Sequence, residues 1–327
     1  MKNWKKTGIA ALCVAALLAG CGTQGGKDDG NGGKDDTPMD VTLEALREVN
    51  DPCVLLEKYD AVTVNIQGTD RDGEVTYTAR LQYTSSYDGS ILMSSHYNYT
   101  ANSGPGEDEL WSQGRGDLYA TRMTSDDSAS LNLYPIPGEG TEYLLEMLPQ
   151  GTDPAAKNAE ETLDERSEQD GAVLLSTTTR FDDQDGYYYT TLYYADPETG
   201  ELLAMSVTDY MADGEGGATE MGTTLYNWSY DEPYEPDREI LNEVVRATDD
   251  ANENSCLLTV CFPKKSAGDW SEKEYNVEKG TYVTICCSMG CTLYADAALT
   301  QPIDDTVSID TSGEEMTVYV LPDVPLD

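Results

Sequence analysis

The chain has 327 residues, 61 acidic against 20 basic, and a formal net charge of −41 at pH 7. A charge this negative repels phosphate backbones and anionic headgroups, which excludes nucleic-acid binding and electrostatic adhesion to a membrane. Disorder is excluded as well, because 22 Tyr and alternating runs of Val, Ile, Leu and Thr supply the core-forming residues that acidic disordered chains lack.

Lys2, Lys5 and Lys6 form a basic start, and Gly8 to Leu18 is an uncharged, mostly apolar run too short to span a bilayer. Leu18-Ala19-Gly20-Cys21 closes it. This arrangement resembles the lipobox signal peptide of bacterial lipoproteins. The resemblance implies cleavage between Gly20 and Cys21 and acylation of Cys21, palmitate being one such chain. It also implies a lipid-anchored place on the extracytoplasmic face of a cell membrane, at the cell surface or in a periplasm. An uncleaved anchor and an ordinary signal peptide are the alternatives. Loss of residues 1–20 removes three lysines and takes the formal charge to −44, so acyl chains rather than charge would hold the protein to its membrane. Residues 21–39 are Gly-rich and polar, a flexible tether reaching on the order of 20–25 Å.

Two short helices open the next segment. Leu43, Leu46 and Val49 share a helical face, and Asp51-Pro52 reads as the N-cap and first-turn proline of a second helix through Lys58. From Asp60 the period changes to two. Val62, Val64 and Ile66 alternate with polar residues, as do Val75, Tyr77, Ala79, Leu81 and Tyr83. Asp72-Gly73, Asp88-Gly89, Asp170-Gly171 and Asp185-Gly186 supply hairpin turns. Strands are predicted near 117–123, 129–135, 172–181, 187–195, 201–211 and 219–230, joined by short connections as an antiparallel meander. Helices are predicted over Thr141–Leu148 and over Asp237–Arg246. A polar linker at 247–255 precedes short strands at 256–262, 274–278, 281–287, 291–295, 306–310 and 315–321. The fold class is therefore mainly β (α+β). A curled antiparallel sheet or half-barrel with a few helices occupies 40–246, and a small β-sandwich-like domain occupies 256–327. An extension sharing an edge with the first sheet is the alternative for that last segment.

The helices at 42–58 and 141–148, with the hairpin Tyr193-Tyr194-Ala195-Asp196-Pro197-Glu198-Thr199-Gly200-Glu201-Leu202-Leu203, resemble the LolA-like lipoprotein-carrier half-barrel family. That resemblance implies a sheet curled around an apolar concavity able to hold acyl chains or the face of another protein. It transfers no ligand-binding residues.

Six cysteines lie beyond Cys13 and Cys21: Cys53, Cys256, Cys261, Cys286, Cys287 and Cys291. An extracytoplasmic address permits disulfides, and Cys287-Ser-Met-Gly-Cys291 has the spacing of a bridged hairpin. Reduced core cysteines are the second reading. A zinc cluster fits poorly, since no Cys-x-x-Cys pair occurs. Catalytic chemistry is thinly represented. The single histidine, His96, shares a strand face with Ser94 and Asn98 and reads as a solvent-facing residue. No nucleophile elbow, zinc-protease helix, phosphate loop or dinucleotide fingerprint occurs. The acidic runs Asp182–Gly186 and Asp304-Asp305 lack the EF-hand pattern and read as turns. Tyr187, Tyr189 and Tyr193 fall on one strand face, Tyr188 and Tyr194 on the other, as sheet packing or as a ligand surface. The sequence thus predicts a non-enzymatic lipoprotein without cofactor or metal. It would bind an apolar or amphiphilic, lipid-like ligand in a half-barrel, or act as an adhesion or scaffold protein holding proteins or glycans on exposed sheet faces.

Overall fold

The computed structural model describes residues 41–85, 91–100, 106–115, 118–123, 128–134, 139–149, 159–169, 171–182, 184, 186–213, 216–230, 232–234, 253–264, 269–287, 290–303, 309 and 311–323. Gly20, Cys21, the tether, the helix predicted over 237–246, the turn at Asp88-Gly89, and Asp183, Asp185, Asp304 and Asp305 lie outside them.

In chain order the elements are α1 (Leu43–Val49), α2 (Pro52–Lys58), β1 (Val62–Asp70), β2 (Val75–Ser85), β3 (Ile91–Tyr99), β4 (Gly106–Arg115), β5 (Leu118–Met123), β6 (Ser128–Leu133) and α3 (Glu139–Glu146). There follow β7 (Ala159–Gln169), β8 (Ala172–Phe181), β9 (Tyr187–Ala195), β10 (Leu202–Ala212), β11 (Ala218–Tyr230), β12 (Ser255–Pro263), β13 (Trp270–Glu278), β14 (Tyr282–Ile285), β15 (Cys291–Tyr294), β16 (Pro302–Ile303) and β17 (Glu315–Pro322). The result is a mainly β protein of curled, non-closed sheets with three short helices among the described residues. Two compact units form, each from separate stretches of chain. Among the described residues, unit 1 falls within 41–81, 97–106 and 148–232, and unit 2 within 82–96, 107–147 and 233–323.

In unit 1 the strands follow the order β2-β1-β11-β10-β9-β8-β7. The Asp-Gly turns work as their composition requires: Gly73 and Gly171 adopt φ of +80° and +83°, a region a Cβ disfavours. The helices start where their caps stand. Thr42 accepts from Ala45 N–H at 3.1 Å, and Asp51 accepts from Cys53 N–H at 2.8 Å with Pro52 behind it. Three elements escape the sequence pattern: β4, β7 and the two-residue β16. Ala-Glu-Glu-Thr-Leu-Asp-Glu-Arg-Ser-Glu-Gln of β7 has no apolar alternation, yet it pairs with β8 from Ala159↔Phe181 to Gln169↔Ala172. It is the last strand in the order, and a charged edge strand resists pairing with other chains.

The helices are tied to the β9–β10 hairpin by buried polar groups. Asp196 accepts from the N–H groups of Glu198 and Thr199 at 2.8 and 2.9 Å, and Gly200 closes the turn at φ +74°. Asn50, 3% exposed, donates to Leu46 O and Gly200 O at 2.7 and 2.9 Å and accepts from Leu202 N–H at 2.8 Å. Glu201, also buried, pairs with Lys58 and accepts from the Tyr59 hydroxyl at 2.7 and 2.8 Å. The Tyr59 ring stacks on Tyr230 at 4.7 Å, and Tyr230 donates to Leu202 O at 2.8 Å.

Unit 2 holds strands in the order β14-β6-β5-β4-β3 and a five-stranded sheet ordered β13-β12-β17-β15-β16. Its core gathers Ala120, Leu131 and Leu133 with Leu258, Val260, Val277, Val283, Val318 and Val320. β14 runs parallel to β6 and extends that sheet, while β12 runs parallel to β17. Helix α3 starts two residues earlier than predicted, and Leu144, Leu145 and Leu148 are the side chains it and the following turn bury. Tyr143 stays partly exposed with its ring edge-on to Tyr119 at 5.0 Å.

Candidate functional site

Antiparallel register sorts the side chains of unit 1 into two faces. Leu175↔Tyr193↔Met205↔Tyr226↔Ile66 stand on one row of the inner face, which carries most of the buried side chains. The next row is Thr177↔Thr191↔Val207↔Thr224↔Gly68, and the one after is Glu161↔Thr179↔Tyr189↔Asp209↔Gly222. The first row is apolar apart from its tyrosine hydroxyls and the second is mostly threonine. The third places two carboxylates, Glu161 and Asp209, on a buried face. The inner face is thus apolar at one end and polar and aromatic at the other.

Each group in that polar end has a physical setting. The Glu161 carboxylate, 8% exposed, pairs with Arg47 of α1 and receives the Tyr193 hydroxyl at 3.4 Å. Asp209 is 4% exposed and accepts the Tyr187 hydroxyl at 2.5 Å. Burial, then the Asp209 bond, pushes the Tyr187 phenol well above its ordinary range, so it remains a donor at neutral pH. Tyr226 is raised in the same direction by burial first, then by Tyr77, with Asp209 and Tyr97 adding to it. Phe181 packs between Tyr187 and Tyr189, with ring centres at 5.8 and 5.7 Å. Gly68 makes room for the Tyr77 ring, since a Cβ there would lie 2.2 Å from Cδ1. Thr177 Oγ1 and Thr191 Oγ1 are buried without a hydrogen-bond partner. Phe181, Tyr187, Tyr189 and Tyr226 are half-buried, and Met211, across from Tyr187, is exposed. Together these groups set half-buried rings beside a buried carboxylate and two hydroxyls without a partner.

The opposite face is organised differently. Thr208 and Thr223 bond through their hydroxyls at 2.7 Å, Thr178 donates to Asp164 at 2.6 Å, and Tyr188 stacks on Tyr210 under Arg180. The tyrosine parity read from the sequence therefore holds: Tyr187, Tyr189 and Tyr193 share the inner face, and Tyr188 and Tyr194 the outer.

The remaining sequence candidates lie in unit 2 or outside the described residues. Gly20 and Cys21 are outside. Cys287 and Cys291 flank a turn closed by Gly290 N–H to Cys287 O at 2.9 Å, and with Cys286 they line a cleft of about 280 Å³. Cys291 Sγ lies 3.9 Å from Ile285 O. Cys256 and Cys261 are buried on β12. His96 is half-exposed with Nε2 2.6 Å from Glu107. Among the described residues no group of three or more His, Cys, Asp or Glu is placed to hold a metal ion, and no helix is long and apolar enough to cross a membrane. Sequence reading missed Asp209. The signal available was an acid on the same strand phase as Met205 and Val207, one position before the irregularity at Asp209/Tyr210.

No protein-family model matches the chain, and no curated protein does. Solved structures do show likenesses. LprF from Mycobacterium bovis matches 60% of this chain and 96% of its own at 9% identity and a TM-score of 0.28. The LolA superfamily protein NE2245 from Nitrosomonas europaea matches 58% of this chain and 97% of its own at 12% identity and a TM-score of 0.21. The Pseudomonas aeruginosa MucA/MucB complex matches 60% of this chain at 13% identity and a TM-score of 0.29, and this chain spans 60% of that one. At such scores the site rests on this chain's own geometry.

Proposed function

We propose that this protein is a non-enzymatic lipoprotein, anchored through Cys21 on the extracytoplasmic face of a membrane, that binds an amphiphilic ligand on the inner face of unit 1. One observation carries the binding reading: half-buried Phe181, Tyr187, Tyr189 and Tyr226 border a buried polar row, so that face offers apolar area and hydrogen-bonding groups side by side. A ligand with an acyl chain and a polar head matches both. A purely apolar ligand would leave the polar row desolvated and unsatisfied. The test is mass spectrometry of organic extracts from protein purified without detergent. An amphiphile recovered near one equivalent, and lost from a Tyr189→Ala, Tyr226→Ala variant that still folds, supports the reading. Equal recovery from the variant, or none from the wild type on adding a lipid extract, overturns it.

A further inference from the structure

The polar end of the inner face of unit 1 has a more specific chemistry than a general amphiphile site. Besides the Arg47–Glu161 ion pair at one end of the row, it holds a second carboxylate, Asp209, enclosed at 4% exposure. Its walls are rings. Tyr187 reaches Asp209 with its hydroxyl, Tyr189 stands directly opposite Asp209 on the neighbouring strand, and Phe181 spans the two tyrosines. One row away, Thr177 and Thr191 face each other across the β8–β9 pair with buried hydroxyls that have no partner. At the edge Met211 stands opposite Tyr187 and exposes 41% of its surface.

Each of these groups selects for the same head group. A buried carboxylate favours a cation, and ring faces add attraction through their quadrupoles. An anionic head would meet repulsion from Asp209 in a medium that screens charge weakly. The two hydroxyls distinguish between cations. Each has lone pairs to accept from an N–H, which a primary ammonium carries and a trimethylammonium does not. The rings and Met211 provide the apolar path along which a chain would leave the head group.

We propose that unit 1 binds a single-chain amphiphile bearing a primary ammonium, its head against Asp209, Thr177 and Thr191 and its chain along Tyr189, Phe181 and Met211. This rests on the amphiphile-binding reading above and names the head group for it.

The experiment is calorimetric titration of the full chain, below the micelle concentration of each probe, with four twelve-carbon amphiphiles: dodecylammonium, dodecyltrimethylammonium, dodecyl maltoside and dodecyl sulfate. The expected order places dodecylammonium at least tenfold tighter than the maltoside, trimethylammonium between them and sulfate weakest. Asp209→Asn should bring dodecylammonium within about twofold of the maltoside, both measured on that variant. Thr177→Val with Thr191→Val, which keeps side-chain shape if Asp209→Asn fails to fold, should weaken dodecylammonium severalfold and leave trimethylammonium unmoved. An ammonium preference that persists in Asp209→Asn overturns the inference, because it would then come from the chain's diffuse negative charge. Equal affinity for all four probes in the wild type also overturns it and leaves the amphiphile reading standing. Absence of binding by every probe removes both.

Discussion

Replacing Asn50 by Ala tests how much of the hold between the helices of unit 1 and the sheet its hydrogen bonds supply. Asn50 makes three bonds, at 2.7, 2.9 and 2.8 Å, that join the end of α1 to the β9–β10 turn. A net contribution of about 1 kcal/mol for each gives about 3 kcal/mol. The Leu202 N–H then loses its acceptor inside the protein at a residue with 0% exposure, which adds about 1–2 kcal/mol. Leu46 O is spared this, because the Asn50 backbone N–H still reaches it at 3.1 Å. The expected loss is therefore about 4–5 kcal/mol, a large share of a typical domain's 5–15 kcal/mol. Urea unfolding followed by circular dichroism should show it as a midpoint lowered by about 2 M, for a slope of about 2 kcal/mol per M. Asn50→Asp sharpens the test. It keeps the acceptor for Leu202 but turns a charge toward the two carbonyls, so it should be at least as destabilising at pH 7. Those carbonyls hold the new carboxyl's folded pKa above its unfolded value, and the variant should regain stability as pH falls from 7 toward 5. A loss below about 1 kcal/mol in the Ala variant would refute the argument and leave the Arg47–Glu161 and Lys58–Glu201 pairs and apolar packing as the links.

Four further outcomes are expected. Thr191→Val should raise stability by about 1 kcal/mol in thermal melts, since it removes a buried hydroxyl with no partner, and a destabilised variant would show that the hydroxyl is satisfied. Burial holds the Tyr134, Tyr187, Tyr226 and Tyr230 phenols above their ordinary value of 10.0, so the folded state keeps protons that the unfolded chain releases. Their contribution is whole below pH 10 and is lost as pH climbs from 10 toward the raised values, so the urea midpoint should fall between pH 9 and pH 11 and a flat profile would contradict the burial. Cys21→Ala should move the protein out of the membrane fraction or leave its leader uncleaved, whereas unchanged membrane recovery would rule out lipid attachment. Cys287 and Cys291 are proposed to join in an oxidising compartment, which peptide mapping of unreduced protein would show as a linked pair, and alkylation of both residues without prior reduction would exclude it.

The meander β8 to β11 was legible because its determinants are local. Alternation in Tyr187–Ala195 and in Leu202–Ala212 sets the faces, and a glycine with positive φ sets each turn. The helices were legible for the same reason, since Thr42, Asp51 and Pro52 act within one helical turn. The parallel pairs β12–β17 and β14–β6 were not legible. Their partners are far apart in the chain and no turn residue announces them. β7 was hidden by its function as an edge, where charge replaces the apolar alternation by which strands are recognised.

The site was hidden by abundance. Sixty-one acidic residues make any one of them uninformative, and Glu161, Glu201 and Asp209 look no different from their neighbours in the sequence. What separates them is strand phase. Met205 and Val207 place the odd-numbered residues of β10 on the face that Tyr193 and Thr191 bury, so an acid at 209 continues an inward phase rather than an outward one. Burying a carboxylate is costly unless something compensates it, and the structure shows such compensation twice nearby, Arg47 for Glu161 and Lys58 with Tyr59 for Glu201. Those two acids fasten the helices to the sheet. Asp209, by contrast, accepts the Tyr187 hydroxyl beside half-buried rings. Two acids bind the helices and a third lies buried beside half-buried rings, and this makes Asp209, rather than any exposed acidic cluster, the residue on which a binding function can be tested.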